Sequence, residues 1–228
     1  MFFADRIRSI QPTDRVLEVG PGSNPHPRAD VLLEREFDPA EAAAQRGHTP
    51  TVELKKETVY FDGGKFPFPD RAFDYVICSH VLEHVADVLQ FVAELSRVAP
   101  RGYLEFPTIY YEYLHNFRVH RNFLHFENGE LRWMCKSKTP LDTFLPVQKF
   151  FQNALAAGFD ELIVSLRECF AEGFEWNGKI TAREVDDIGS LCPVNDGFVF
   201  PENPFKRQTT GAEMLRELAR RAKDHFTK

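Results

Sequence analysis

The sequence predicts an α/β fold, a mostly parallel sheet with helices on both faces. Three observations predict it. Short apolar runs recur at residues 16–19, 30–34, 58–61, 73–78 and 103–106, and the fourth is nearly continuous, as central parallel strands are. These runs alternate with loops or helical patterns, the rhythm of a parallel sheet. Acids stand near the ends of three successive runs, at Glu18, Glu34 and Asp62, on the edge where open α/β sheets build a ligand crevice.

Each element has a local reason. The first ten residues read as a short helix leading into the first strand, Val16-Leu17-Glu18-Val19, which stops at Gly20-Pro21-Gly22. Glycines there supply φ angles and a close approach that side chains would block. An acid in a buried strand end requires a partner, because an unpaired buried charge is costly. A helix would normally follow, but Ser23-Asn24-Pro25-His26-Pro27-Arg28 carries two prolines in three residues, which discourage one. The first crossover is therefore expected to be truncated to a loop before the second strand at 30–34.

Asp38-Pro39-Ala40-Glu41 reads as a helix start and Gly47 as its end. The third strand, 58–61, ends at Asp62-Gly63-Gly64. The stretch Phe66-Pro67-Phe68-Pro69-Asp70 is a turn before the fourth strand. Asp87 caps the clearest helix, whose Val88, Phe91, Val92, Leu95 and Val98 recur at helical spacing, with Gln90 completing a capping box. Pro100-Arg101-Gly102 ends it, and 103–106 is the fifth strand.

Residues 107–139 break the rhythm and read as an insertion after that strand, aromatic and rich in histidine. Asn128-Gly129 between residues 123–127 and 130–133 is a strong hairpin signal. A helix is expected over 146–157, a strand over 161–166, a second Asn-Gly turn at Asn177-Gly178, and an amphipathic helix from Thr210 with Met214, Leu215 and Leu218 inward. No repeat or linker divides the 228 residues, so one domain is expected.

Composition narrows the function. With 28 basic and 34 acidic residues, the net charge of −6 disfavours nucleic acid or an anionic membrane as partner. No apolar run approaches the ~20 residues of a membrane span, and no signal peptide is visible at the N-terminus. Cys78, Cys135, Cys169 and Cys192 lie far apart without a C-x-x-C pair, which suggests neither a zinc site nor a disulfide scaffold. A reduced, cytoplasmic protein is the expectation. The 22 phenylalanines have no functional account at this level.

The acids carry the chemistry. A carboxylate at Glu34, after the second strand, can accept both hydroxyls of a ribose. Asp62 beside two glycines allows backbone and carboxylate to approach a base edge. One such acid would more simply cap a loop; three in this order point to a nucleoside ligand.

The order Val16-Leu17-Glu18-Val19-Gly20-Pro21-Gly22, Glu34, Asp62, Phe66-Pro67-Phe68-Pro69-Asp70-Arg71-Ala72-Phe73-Asp74-Tyr75-Val76 and Ser79-His80-Val81-Leu82-Glu83-His84-Val85 resembles the class I S-adenosylmethionine-dependent methyltransferases, over about residues 14–107. The last two segments look like the branch that methylates small molecules. The resemblance implies a Rossmann-like fold with S-adenosylmethionine as cofactor. It implies that Glu18, Gly20, Pro21, Gly22 and Asn24 line the methionine part, that Glu34 holds the ribose and that Asp62 and Gly63 meet the adenine. Ser79 and His80 would flank the sulfonium. Two departures stand out: Asn24 replaces the third glycine of the loop, and the first crossover helix is lost. The lost helix argues against a nicotinamide dehydrogenase, which needs a helix N-terminus for its pyrophosphate.

The expected reaction is methyl transfer to an oxygen or nitrogen of a small-molecule metabolite, with His80 as base where the acceptor is a poorly acidic hydroxyl. The alternative is a catalytically silent protein of this fold acting as a binding or assembly partner; homo-oligomerisation is open in either case. Acceptor contacts are assigned to Tyr110, Tyr111 and His120 of the insertion, with Arg118 and Arg121 available for an anionic or hydroxylated group. The insertion would act as a lid over that site, or its aromatics would replace core lost with the crossover helix. His84 reads as a structural histidine. His115, His120 and His125 are spaced by five, not the three or four of ligands on one helix face, so no metal site is expected.

Overall fold

A computed structural model describes residues 1–36, 56–158 and 161–193. Six strands form one sheet: β1 (Val16–Val19), β2 (Val31–Arg35), β3 (Glu57–Phe61), β4 (Tyr75–Ser79), β5 (Arg101–Pro107) and β8 (Ala171–Asn177). Their order is β3-β2-β1-β4-β5-β8. The first five are parallel and β8 runs antiparallel to β5. The order reverses between β1 and β4, so a switch point opens beside the carboxyl end of β1, the position where such sheets bind ligands.

The first crossover contains no helix, as its prolines predict. Its carbonyls are satisfied by one ammonium instead: Lys56 donates from Nζ to the carbonyls of His26 at 3.0 Å, Pro27 at 2.9 Å and Ala29 at 2.5 Å. A single long cation thus replaces the ladder that a helix would have provided.

Helix α1 (Val88–Val98) packs on one face of the sheet, with Val88, Phe91, Val92, Leu95 and Val98 buried against Leu17, Leu33, Val76 and Leu104. Full burial of such side chains contributes about 1.5–3 kcal/mol each. Asp87 caps the helix, accepting the Gln90 N–H at 2.9 Å. Arg97, on its last turn, pairs with Glu94 and Asp70 and donates to the carbonyls of Phe66 and Phe68, which fixes the turn before β4. Phenylalanines fill the corner: Phe61, Phe66 and Phe91 meet edge to face at 5.4 and 5.3 Å. On the other face, Val16, Tyr75, Ile77 and Tyr103 pack with Ile7 and Ile10.

After β5 the chain leaves the sheet. Helix α2 (Ile109–His115) precedes a hairpin of β6 (Asn122–Glu127) and β7 (Glu130–Cys135), and β9 (Thr181–Glu184) joins β7 in a second sheet of order β6-β7-β9. Asn128 and Gly129 have φ of 54° and 80°, as the two-residue hairpin turn demands. Helix α3 (Leu145–Ala156) follows, with Pro146 in its first turn.

Two sequence expectations are corrected. Residues 161–166 are not a strand: α4 (Glu161–Ser165) and α5 (Arg167–Phe170) occupy this stretch. Ile163 is buried while Val164 beside it is 57% exposed, so the run has one apolar side, and a short apolar run does not by itself separate helix from strand. The turn expected at Asn177-Gly178 is present, with Gly178 at φ 83° after the end of β8. β8 pairs with β5 and β9 pairs with β7, so the turn carries the chain from one sheet to the other. The N-terminal ten residues hold only one 3-10 turn, Ala4–Arg6, because the N–H groups of Phe2 and Phe3 go to the Glu105 carboxylate at 2.7 and 2.9 Å. The helices expected at 38–47 and from Thr210 lie outside the described residues. No helix among the described residues is long and apolar enough to cross a membrane.

Candidate active site

Two adjacent cavities open at the carboxyl edge of the sheet. The larger, of about 530 Å³, is lined by Gly20, Glu34, Asp62, Gly63, His80 and Arg121 among others. The smaller, of about 250 Å³, is lined by Glu18, Pro21, Asn24, His26 and Ser79. Gly20 lines both, so the two are neighbours at the end of β1. The structure therefore divides the residues assigned to the cofactor. Glu34, Asp62, Gly63, Gly20 and Gly22 surround the larger space; Glu18, Pro21, Asn24 and Ser79 surround the smaller.

Gly20 is required by geometry. Its φ is +64°, and a Cβ on it would lie 2.4 Å from Val81 Cγ2. Any other residue would have to displace the Val81 side chain at the place where the two cavities adjoin. Gly22 also has a positive φ, +60°, and faces open space.

Glu18 is buried and accepts the His26 N–H at 2.7 Å. Burial pushes its carboxyl up to about 7, against the opposing pull of that hydrogen bond and of the Lys56 charge. A carboxyl poised at neutral pH beside a polar cavity suits a cationic ligand group.

His80 has φ +56° and leaves β4 directly into the cavity wall. Its Nε2 lies 3.0 Å from Glu105 Oε1 and its Nδ1 3.5 Å from Glu83 Oε1. Its ring meets Phe2 edge-on at 5.3 Å. Burial lowers its pKa, but the two carboxylates outweigh this and raise it to about 9. With both ring nitrogens facing carboxylates, His80 has no lone pair aimed at the cavity. The structure thus makes it an anchor of the β4 end, contrary to the expected role as base. Glu105 is the centre of that anchor. Completely buried, it accepts from Ser79 Oγ at 2.9 Å and the Tyr103 hydroxyl at 2.7 Å as well as from the two N-terminal amides. Burial raises its carboxyl, yet His80 and these donors hold it down at about 2.

The insertion residues fall elsewhere. Tyr110 packs with the second apolar cluster around Ile109, Phe123 and Met134, and its hydroxyl donates to the Pro193 carbonyl at 3.3 Å. Tyr111 lies against His115 at 4.5 Å and Phe117 at 5.8 Å. Neither lines either of these two cavities; each ring has an apolar site of its own within the insertion. His120 is set one ring back, edge-on to His84 at 4.6 Å, with Nδ1 2.5 Å from Glu112 Oε1. The insertion reaches the larger cavity through Arg121, whose N–H donates to the Glu83 carbonyl at 2.6 Å. His84, read from sequence as structural, also lines that cavity. Glu83 and Glu105 were missed by sequence reasoning. The signal was there for Glu105, an acid flanked by Leu104 and Phe106 in an apolar strand.

Residues 17–106 match a family model described as a methyltransferase domain. A curated relative, an uncharacterized methyltransferase of Schizosaccharomyces pombe, is 33% identical over 117 residues, 43% of this chain and 41% of that protein. The chain spans less than half the length of that relative. Two solved structures also overlap it: the YcgJ protein of Bacillus subtilis, 22% identical over 45% of this chain and 50% of that one, TM-score 0.32, and an S-adenosylmethionine-dependent methyltransferase of Mesorhizobium loti, 17% identical over 54% and 57%, TM-score 0.32. Overlaps of that size add no weight. The matched segment begins in β1 and ends in β5, and so holds the switch point, Gly20 and the three acids. Over residues 17–106 the chain thus matches a methyltransferase domain, in keeping with the resemblance of those residues to the S-adenosylmethionine-dependent methyltransferases.

Proposed function

We infer that the chain transfers a methyl group from S-adenosylmethionine to an oxygen or nitrogen of a small molecule. The observation that carries this is the pair of neighbouring cavities that share Gly20, with Glu34 and Asp62 in the lining of one and Glu18 in that of the other. When bound, the cofactor supplies an electrophilic methyl on a sulfonium. Glu34 would accept the ribose hydroxyls, Asp62 and Gly63 would face the base, and Glu18 with Ser79 would hold the methionine end. The protein's part is alignment and exclusion of water, which convert a bimolecular encounter into an oriented one. His84 and Arg121 stand at the same cavity wall, and the acceptor is assigned to that side, under the insertion. A small acceptor agrees with the acidic net charge, which disfavours nucleic acid.

Calorimetric titration with S-adenosylmethionine and with its demethylated product tests the cofactor half. Glu34→Ala should weaken binding by about 1.5–3 kcal/mol, the value of a charge-assisted contact, without lowering the melting temperature. Unchanged affinity in a folded variant removes Glu34 from the ribose role. Labelled methyl transfer screened across metabolite classes tests the acceptor half. Tight cofactor binding with no turnover on any class would favour the alternative of a binding or assembly protein.

A further inference from the structure

We propose that Glu83, His84 and His120 form a site for a divalent transition-metal ion in the wall of the larger cavity. One carboxylate oxygen and one nitrogen from each imidazole lie within 4.8 Å of one another. Bonds of ~2.0–2.2 Å around a common ion would set these atoms roughly 3–3.5 Å apart, so side-chain shifts of up to about 2 Å close the site.

Glu83 supplies the strongest reason. It is completely buried, and neither carboxylate oxygen accepts a hydrogen bond. Its partners are imidazoles at ion-pair distance and not hydrogen-bond donors at normal length, and buried charges are paired or coordinate metals. Its neighbours are imidazole nitrogens: His84 Nε2 at 3.7 Å and His80 Nδ1 at 3.5 Å. His80 is shared between two carboxylates, its Nε2 lying 3.0 Å from Glu105 Oε1.

The two proposed histidine ligands are oriented from behind. His84 Nδ1 is 3.1 Å from the Val119 carbonyl, and His120 Nδ1 is 2.5 Å from Glu112 Oε1. Both partners are acceptors, so the tautomer that donates from Nδ1 satisfies them and leaves Nε2 available to an ion. Glu112 is itself buried and fixed by Lys136 Nζ at 2.5 Å. Carboxylates and carbonyls behind the distal nitrogen are the usual support of metal-ligating histidines. The backbone bond from Arg121 to Glu83 ties the insertion to the segment after β4, which brings His120 to the other two ligands.

Two imidazoles and one carboxylate suit zinc, iron, cobalt or nickel better than calcium or magnesium. Because His84 lines the cavity, an ion here would keep open positions towards it. It could then hold an acceptor oxygen and favour its deprotonated form, work that His80 is not placed to do. Metal binding itself does not depend on the methyl-transfer reading.

The test is titration of the full chain, stripped with chelator, with ZnCl₂ by calorimetry and with CoCl₂ by visible absorption. One equivalent should bind at micromolar or tighter affinity, with cobalt absorption bands saturating at the same ratio. His120→Ala and Glu83→Gln should each weaken binding by 100-fold or more, and Glu112→Gln by 10–100-fold, as loss of a supporting group does. His125→Ala, in the same insertion but bonded to Glu172, should bind as the parent does. Thermal melting separates loss of ligand from loss of fold. No stoichiometric binding, or binding unaltered by His120→Ala in a folded variant, overturns the site. Neither readout uses the cofactor, so failure here leaves the methyl-transfer reading standing.

Discussion

The two halves of this chain place functional groups by different means. In the parallel half, residues 17–106, strand ends do the placing: Gly20, Asp62 and His80 each follow a strand, Glu34 is the next-to-last residue of one, and so they reach one edge together. In the half from 107 to 193, packing does it. Tyr110 and Tyr111 have suitable chemistry but serve local clusters, while Arg121 and His120 arrive by contacts with the segment after β4. Being near an aromatic-rich insertion is therefore a weaker predictor of a site residue than being next in line after a parallel strand.

The largest expected effect tests how firmly the parallel half is held. Glu105→Ala removes the acceptor of five groups and leaves His80 charged beside a gap, and should cost about 3–5 kcal/mol in urea unfolding. A cost below about 1 kcal/mol would mean that the β4–β5 edge is not held by this carboxylate.

Next in size is a pH effect at Glu18. Its carboxyl is raised from the ordinary 4.5 to about 7, chiefly by burial. The stability this group contributes is thus complete below pH 4.5 and is lost as pH rises through 7, an effect on the order of 3 kcal/mol. Glu18→Gln should flatten that part of the stability profile. Cofactor binding near pH 6.5 should release protons if a cationic group meets Glu18; calorimetry in buffers of different ionisation enthalpy would show it. A heat independent of buffer would remove Glu18 from the methionine side.

Gly20→Ala tests the place where the two cavities adjoin. The strained φ should cost about 1–3 kcal/mol of stability, and cofactor affinity should fall further because of the contact with Val81. Adding Val81→Ala should restore part of the affinity and none of the φ cost. If the double variant behaves as the single one, backbone strain alone explains the glycine.

The smallest effects test the other half. Tyr110→Phe loses one hydrogen bond, about 1 kcal/mol of stability, and should leave turnover within about two-fold, as should Tyr111→Phe. Arg121→Ala should lower acceptor turnover while cofactor affinity and melting temperature hold. Loss of turnover in either tyrosine variant at constant stability would return the acceptor contacts to the tyrosines and break the contrast between the halves.

By itself the sequence determined what depends on neighbours in the chain. The buried strands, the Asp87 cap, the prolines that remove the first crossover helix and the Asn128-Gly129 turn are local matters of φ, period and capping, and each is where local chemistry puts it. The acids at the ends of successive strands were legible for the same reason, since parallel strands share an edge. Tertiary structure alone decided the partners. Phe2 meets Glu105 across 103 residues of chain, and His120 reaches Glu83 and His84 from a different element. It also decided that 161–165 is a helix and that β8 completes the sheet. Apolar periodicity states which side of an element is buried but not against what, and the identity of that neighbour is what sets the state of a buried Glu or His.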